Sequence, residues 1–189
     1  PGSSQAALAH LRAWTEAEGN TLHATFLQRQ RDGFVRECHG DLHLGNVARI
    51  DSMPVPFDCI EFNDALSHID VISEAAFLMM DLDHRGLPGL GSRFFNSYLD
   101  HTQDYHGLRM LDFYLIYRAM VRAKVAAFFL DDPDMDSEEK KAAGRRASAY
   151  FELADRYLKA HDPRLIVLAG VSGSGKSTLA AELSENHPS

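Results

Sequence analysis

The chain reads as an α+β protein, predominantly helical, in which a small β platform carries a polar loop and is followed by long helices. Three observations predict this. Short apolar, β-branched runs at 34–38, 47–50 and 55–58 are separated by polar and turn-forming residues, and each has strand length. Beyond Asn63 the apolar residues instead recur at helical spacing over 67–83, 91–104, 108–130 and 137–161. Hydrophobic residues make up 45% of the 189 and charged residues 24%, enough to bury an ordinary core and too apolar for a disordered chain.

Taken in order, Ala6, Leu8, Leu11 and Trp14 mark a first helix, Gly19-Asn20 predicts a break, and Leu22, Phe26 and Leu27 mark a second helix to about Arg31. The strands 34–38 and 47–50 flank a polar loop, and Asp51, Ser52 and Pro54 turn the chain into the strand 55–58. The later helices are punctuated by Gly86-Leu-Pro-Gly89, Tyr105-His-Gly107 and Asp131-Asp-Pro-Asp134. Asp136 and Glu139 have capping-box spacing at the start of the last long helix. On the helix beginning near Ser67, Asp70, Glu74 and Asp81 share a face while Ile69, Ile72, Ala75, Ala76 and Leu78 cover much of the rest, which predicts a mostly buried helix with one polar seam. Met79, Met80, Phe113, Tyr114, Tyr117, Phe128 and Phe129 are expected in the core. Arg118 and Arg122, four apart, are expected to pair with carboxylates of the preceding helices and are left out of the site.

The balance of 19 basic and 27 acidic side chains, a net charge of -8, argues against a general nucleic-acid binder and for small, cationic or metal-bridged partners. No apolar run approaches the roughly 20 residues that cross a bilayer, and no signal-peptide pattern opens the chain, so no membrane partner and a cytoplasmic location are expected. Cys38 and Cys59 are too few for a disulfide framework or a zinc site and are expected to be buried thiols. The ten histidines are scattered apart from His39 and His43.

The segment His39-Gly-Asp-Leu-His-Leu-Gly-Asn46 places an aspartate and an asparagine five positions apart across a loop, the spacing with which kinase catalytic loops set a base and a metal ligand. Asp41 would accept the proton of an attacking hydroxyl; Asn46 would offer magnesium a neutral amide oxygen. Asp58, in Pro56-Phe-Asp-Cys-Ile-Glu61, supplies a second carboxylate able to chelate magnesium on ATP phosphates.

On these residues the chain resembles the aminoglycoside phosphotransferase and choline kinase-like family, whose catalytic loop reads His-Gly-Asp, four residues, then Asn, and whose metal aspartate lies in a second short motif. Gly40, where protein kinases carry arginine, separates the chain from that group. The resemblance implies Asp41 as catalytic base, Asn46 and Asp58 as metal ligands, His39 as a brace of the loop, and Asp70 as an aspartate that anchors the loop without doing chemistry. It extends loosely from Phe34 to His161 and implies the large lobe of a protein-kinase-like fold, ATP and Mg2+ as cofactors, and a small-molecule hydroxyl acceptor as partner. Such a kinase needs an ATP-holding lobe ahead of this loop, yet the residues before His39 read as helices, so the N-terminal lobe is expected to be missing.

Gly170-Val-Ser-Gly-Ser-Gly-Lys-Ser177 is a full Walker A sequence after an apolar strand pattern at 165–169 and before a helix. Gly170, Gly173, Ser174 and Gly175 would turn backbone amides toward phosphate, Lys176 would reach the β and γ phosphates, and Ser177, followed by Thr178, would hold magnesium. A P-loop domain needs a multi-stranded parallel sheet, and the few residues after Thr178 cannot supply it. Two units are therefore expected: a phosphotransferase-like large lobe over 1–161 and the start of an incomplete P-loop domain over 162–189. This order resembles bacterial bifunctional proteins that join an aminoglycoside phosphotransferase to an ATP-binding domain, and the chain alone is expected to be inactive. The orphan strand 165–169 is expected to invite self-association. Two other readings stand beside the first. The lobe could be a degenerate platform for a P-loop kinase or ATPase, or His39, Asp41 and His43 could ligate a metal in a hydrolase.

Overall fold

The computed structural model describes residues 2–159 and 166–186. The chain is mostly helical with two small two-stranded sheets, in the order α1 (Gly2–Arg31), β1 (Val35–Glu37), β2 (Val47–Ile50), β3 (Met53–Pro56), α2 (Asp64–Ser67), β4 (His68–Asp70), α3 (Val71–His84), α4 (Pro88–Thr102), α5 (Leu111–Phe128), α6 (Ser137–Leu158) and α7 (Lys176–Asn186). Short 3-10 turns at Leu44–Asn46 and Tyr105–Met110 complete the described elements. Among them no helix is long and apolar enough to cross a membrane.

α3 organises the rest. Its residues Ala76, Phe77 and Met80 are at most 1% exposed and pack with Leu115, Ile116 and Ala119 of α5 and Leu153 and Ala154 of α6. Ile72 and Ala75 pack instead with Phe95 and Leu99 of α4. Burial of each large side chain contributes about 1.5–3 kcal/mol, which is why a helix with apolar residues on two faces settles in the centre. The third face carries Glu74 and Asp81, which accept amides of the loop 39–46, while Asp70 caps the start of the helix.

Several expectations are corrected. Tyr117, Phe128 and Phe129, expected in the core, are 46%, 64% and 41% exposed, on the outer side of α5 and at its end. α1 runs unbroken through Gly19-Asn20, because aromatic packing on α5 spans the weak point: Trp14 stacks on Phe113 at 6.4 Å and Phe26 meets Phe113 at 5.3 Å. A mid-helix glycine costs about 1 kcal/mol, less than those contacts return. The expected helix 67–83 begins only at Val71, since His68–Asp70 pairs antiparallel with Val35–Glu37, Val35 opposite Asp70. Residues 166–169 form no strand, and Ile166 and Val167 are 59% and 76% exposed; a lone strand has no ladder to join. Cys59 is exposed, while Cys38 is partly buried, with its thiol pushed up to about 11 by burial and by Glu74. The expected helix end at His161, Leu165 and the 161/162 boundary lie outside the described residues.

Other expectations meet their structural counterparts. β2 and β3 pair across the expected turn, but β3 spans 53–56 rather than 55–58: Asp51 and Ser52, φ 48° and 68°, close a two-residue loop that sets Met53 opposite Ile50 and leaves Asp58 beyond the strand. Left-handed conformations at both central residues match the twist of the strands. The capping box at α6 is complete: Asp136 accepts the Glu138 and Glu139 amides at 2.8 Å, and Glu139 accepts the Asp136 amide at 2.9 Å.

Candidate active site

The loop 39–46 is tied down from several sides, and each tie has a chemical reason. Gly40 takes a φ of 82°, which brings the chain close to Leu66; a Cβ there would lie 2.8 Å from the Leu66 carbonyl oxygen. The amides freed by this turn need acceptors, and the two oxygens of Glu74 take them: His39 N at 3.1 Å and Gly40 N at 3.2 Å. Burial raises the Glu74 carboxyl above its ordinary 4.5, opposed by the Gly40 amide and by Arg118. At the far end of the loop the Leu44 amide donates to Asp81 at 2.9 Å, and Asp81 also receives Arg85 at 3.0 Å and the Tyr150 hydroxyl at 3.2 Å. Burial opposes ionisation of Asp81, yet these donors outweigh it and hold the carboxyl below 3.8.

Two arginines of α5 reach the same loop. Arg118, 6% exposed, donates to the Gly40 carbonyl at 3.2 Å and to Ser73 Oγ at 3.1 Å, with its guanidinium over the Phe77 ring at 4.6 Å. Arg122 places Nη1 3.1 Å from Nε2 of His43. The expected pairing of both with carboxylates is corrected: no ion pair forms at either among the described residues, because Arg118 is taken up by the Gly40 carbonyl and Ser73 and Arg122 lies against the His43 ring.

Asp41 stands half-exposed at the centre. Asn46 donates through Nδ2 to its Oδ2 and to its carbonyl, each at 3.1 Å, and His43 Nε2 lies 3.4 Å from Oδ2. Asp41 can only accept, so the amide is oriented with nitrogen inward and Oδ1 as its remaining acceptor. The His43 hydrogen bond, first, with Arg122 and Asn46 then overcome burial and hold the Asp41 carboxyl below 3.8.

Asp58 follows β3 on a left-handed corner, φ 61°, and the residues around it are bonded to the loop. Phe57 N donates to the Asn46 carbonyl at 2.9 Å, Ile60 N to the His39 carbonyl at 2.9 Å, and His39 Nε2 meets the Phe57 carbonyl at 2.8 Å. His39 thus braces the two segments together. The result is a cleft of about 500 Å3 lined by Asp41, Asp58, Cys59, Ile60, Glu61 and Phe62.

Asp70 does not touch the loop, which corrects its expected role. It caps α3 through the Ile72 amide at 2.9 Å and takes Arg29 of α1 on both oxygens, at 2.7 and 3.0 Å, while Arg29 also donates to Asp104 at 2.7 and 2.6 Å. One turn along the helix Glu74 lies closer to the loop amides, so the anchoring falls to Glu74 and Asp81. Both were legible as part of the polar seam; Arg29, beside Gln28, Gln30 and Arg31, and Asp104, beside Thr102 and Gln103, sit in polar stretches that gave no sign of burial.

The second phosphate motif forms a turn and a helix. Gly173 and Gly175 have φ of 80° and 82°, Lys176 opens α7, and its Nζ donates to the carbonyls of Gly170 and Val171 at 2.8 and 2.6 Å. Ser174 Oγ lies 3.5 Å from the same amine, and Ser177 and Thr178 are exposed in the first turn of α7. α7 lies against α4, and the motif does not join the Asp41 cleft.

The oxygen donors Asn46 and Asp58 suit a hard cation such as magnesium, which takes one or two protein oxygens and completes its shell with water and phosphate. Among the described residues no three His, Cys, Asp or Glu side chains come together as a closed metal cage.

The chain is 36% identical over 160 residues to an uncharacterized protein of Mycobacterium tuberculosis and, at the same identity, to one of Mycobacterium bovis. These matches cover 85% of this chain, which spans 31% of the length of each relative. No protein-family model matches the chain. No solved structure matches it.

Proposed function

We propose that the chain is the large lobe of an ATP-dependent phosphotransferase of the aminoglycoside phosphotransferase and choline kinase-like family, with a small molecule bearing a hydroxyl as acceptor. One observation carries this reading: three hydrogen bonds between 57–60 and the loop put Asp41 and Asp58 on one cleft with Asn46 bonded to Asp41. Asn46 Oδ1 and Asp58 would hold magnesium, which, when bound, offsets charge on the ATP phosphates. Asp41 orients the acceptor hydroxyl and takes its proton as the acceptor oxygen bonds to the γ-phosphorus; the bond from that phosphorus to its bridging oxygen breaks and ADP leaves. Glu74, Asp81 and Arg118 do no chemistry and keep the loop in shape for it. The ATP-holding lobe of such an enzyme, and the remainder of a P-loop domain after α7, would be further parts of a longer cytoplasmic protein.

A rival hydrolase centred on His39 and His43 fits poorly. Both ring nitrogens of each histidine already have partners within the chain, the Asp41 amide and Phe57 carbonyl for His39, the Gly45 amide with Asp41 and Arg122 for His43. A specific observation does favour a second phosphate site: the formed Walker turn, with Lys176 resting on carbonyls it could exchange for phosphate oxygens.

The test is transfer of labelled γ-phosphate from ATP to a panel of small hydroxyl compounds by the full-length protein. Asp41→Asn and Asp58→Ala should each lower transfer by at least about 100-fold. ATP turnover that survives Asp41→Asn and is lost with Lys176→Ala would instead assign the activity to the P-loop.

A further inference from the structure

His43 is the buried ring of the loop that the phosphotransfer chemistry leaves without a task. It is 8% exposed and packs on Phe77 with ring centroids 5.8 Å apart, so it cannot swing away from its neighbours. Nδ1 accepts the Gly45 amide at 3.0 Å, and an accepting ring nitrogen carries no proton. The proton of the neutral ring is therefore on Nε2. That nitrogen has two neighbours, Asp41 Oδ2 at 3.4 Å and Arg122 Nη1 at 3.1 Å. A guanidinium can only donate, so the neutral ring keeps either the Gly45 bond at 3.0 Å or the Arg122 bond at 3.1 Å; the Nε2–H tautomer keeps the loop's own amide paired and turns its proton toward the Asp41 carboxylate 3.4 Å away.

Arg122 then stands behind the ring as a cation that also reaches the Tyr150 hydroxyl. Its Nε is buried without a partner, and its guanidinium lies 5.7 Å from the Tyr150 ring centroid. The Asn46 amide donates to the same oxygen, Oδ2, as His43. Two donors on one carboxylate oxygen fix the plane of the group and leave the other oxygen for a new proton. Facing Asp41 are the titratable His43 in its own loop, the cations Arg118 and Arg122 of α5, and the carboxylates Asp58 and Glu61 across the cleft.

We propose that His43 and Arg122 are positioning residues for Asp41: the Nε2–H of a buried imidazole, backed by the Arg122 guanidinium, pins Oδ2 and presents Oδ1 to the acceptor hydroxyl. The inference rests on the reading of Asp41 as the base.

Two measurements test it. Long-range nitrogen–proton NMR of this chain should show His43 as the Nε2–H tautomer; the Nδ1–H tautomer overturns the proposal. In the full-length protein carrying Lys176→Ala, ADP release from magnesium-ATP with water as acceptor should fall roughly 10- to 100-fold in kcat for His43→Phe, the loss typical of a removed orienting partner, with KM for ATP little changed. His43→Gln, whose amide can donate to the same oxygen, should recover part of the loss. Should His43→Phe melt below the assay temperature, Arg122→Gln is the second variant, with the same direction of effect on kcat. Full turnover in Asp41→Asn, or none without the substitution at 41, overturns the phosphotransferase reading and this inference with it. Loss in Asp41→Asn with unchanged kcat in His43→Phe and Arg122→Gln overturns only the positioning.

Discussion

Glu74 lies beneath Gly40, its Oε2 accepting the Gly40 amide at 3.2 Å while Oε1 accepts the neighbouring His39 amide at 3.1 Å. A carboxylate on the central helix thereby sets the backbone path of the loop that carries Asp41. Arg118 completes the grip by donating to the Gly40 carbonyl at 3.2 Å.

Gly40→Ala tests the path itself. The substitution combines a φ of 82° with a Cβ 2.8 Å from the Leu66 carbonyl oxygen, so a loss on the order of 2 kcal/mol is expected in urea denaturation. An unchanged midpoint would mean that the loop has room to open there.

Glu74→Ala leaves two amides of the loop without acceptors. The expected cost is about 1–3 kcal/mol, read from the same denaturation experiment, and amide exchange at His39 and Gly40 should accelerate more than exchange in α6.

The acid response separates Asp81 from Glu74. Asp81 is held below 3.8 in the fold, so the unfolded chain takes up the proton first as the pH falls; the stability it contributes is present above that value and is lost as the pH drops through the lower, folded one. Glu74 is raised above 4.5, so its contribution is fully present below 4.5 and is lost as the pH climbs from there through the raised value. Asp81→Asn should therefore flatten the acid limb of stability below the ordinary aspartate value, and Glu74→Gln should remove the decline above 4.5, both measured as denaturation midpoints against pH.

Arg29→Met breaks a buried triad. Arg29, Asp70 and Asp104 are each 4–5% exposed, and removing the cation leaves two buried carboxylates facing each other. A loss of about 3–5 kcal/mol is expected; the triple variant Arg29→Met, Asp70→Asn, Asp104→Asn should recover part of it. If the single variant unfolds at the same denaturant concentration as the parent, the triad is not holding α1 to α3.

Lys176→Ala should leave stability within about 0.5 kcal/mol, since the Walker turn is exposed, while abolishing any rise in melting temperature caused by magnesium-ATP at that turn.

Local chemistry made much of this protein legible without coordinates. The spacing from His39 to Asn46, the carboxylate at Asp58, the seam of Asp70, Glu74 and Asp81 and the Asp136–Glu139 capping box depend on residues close in the chain or on one helical period, and each was readable as a pattern. Tertiary structure decided what pattern alone leaves open. Whether α1 breaks at Gly19 was settled by aromatic packing on Phe113, and whether residues 68–70 join a helix was settled by the pairing of Val35 with Asp70. It was likewise a question of distance which seam carboxylate meets the loop and which meets Arg29. The reach of Arg118 and Arg122 to Gly40 and His43 spans 78 and 79 positions. A side chain bonds to whatever the fold brings within about 3 Å of it, and for residues so far apart in sequence that distance is set by how α3 and α5 pack.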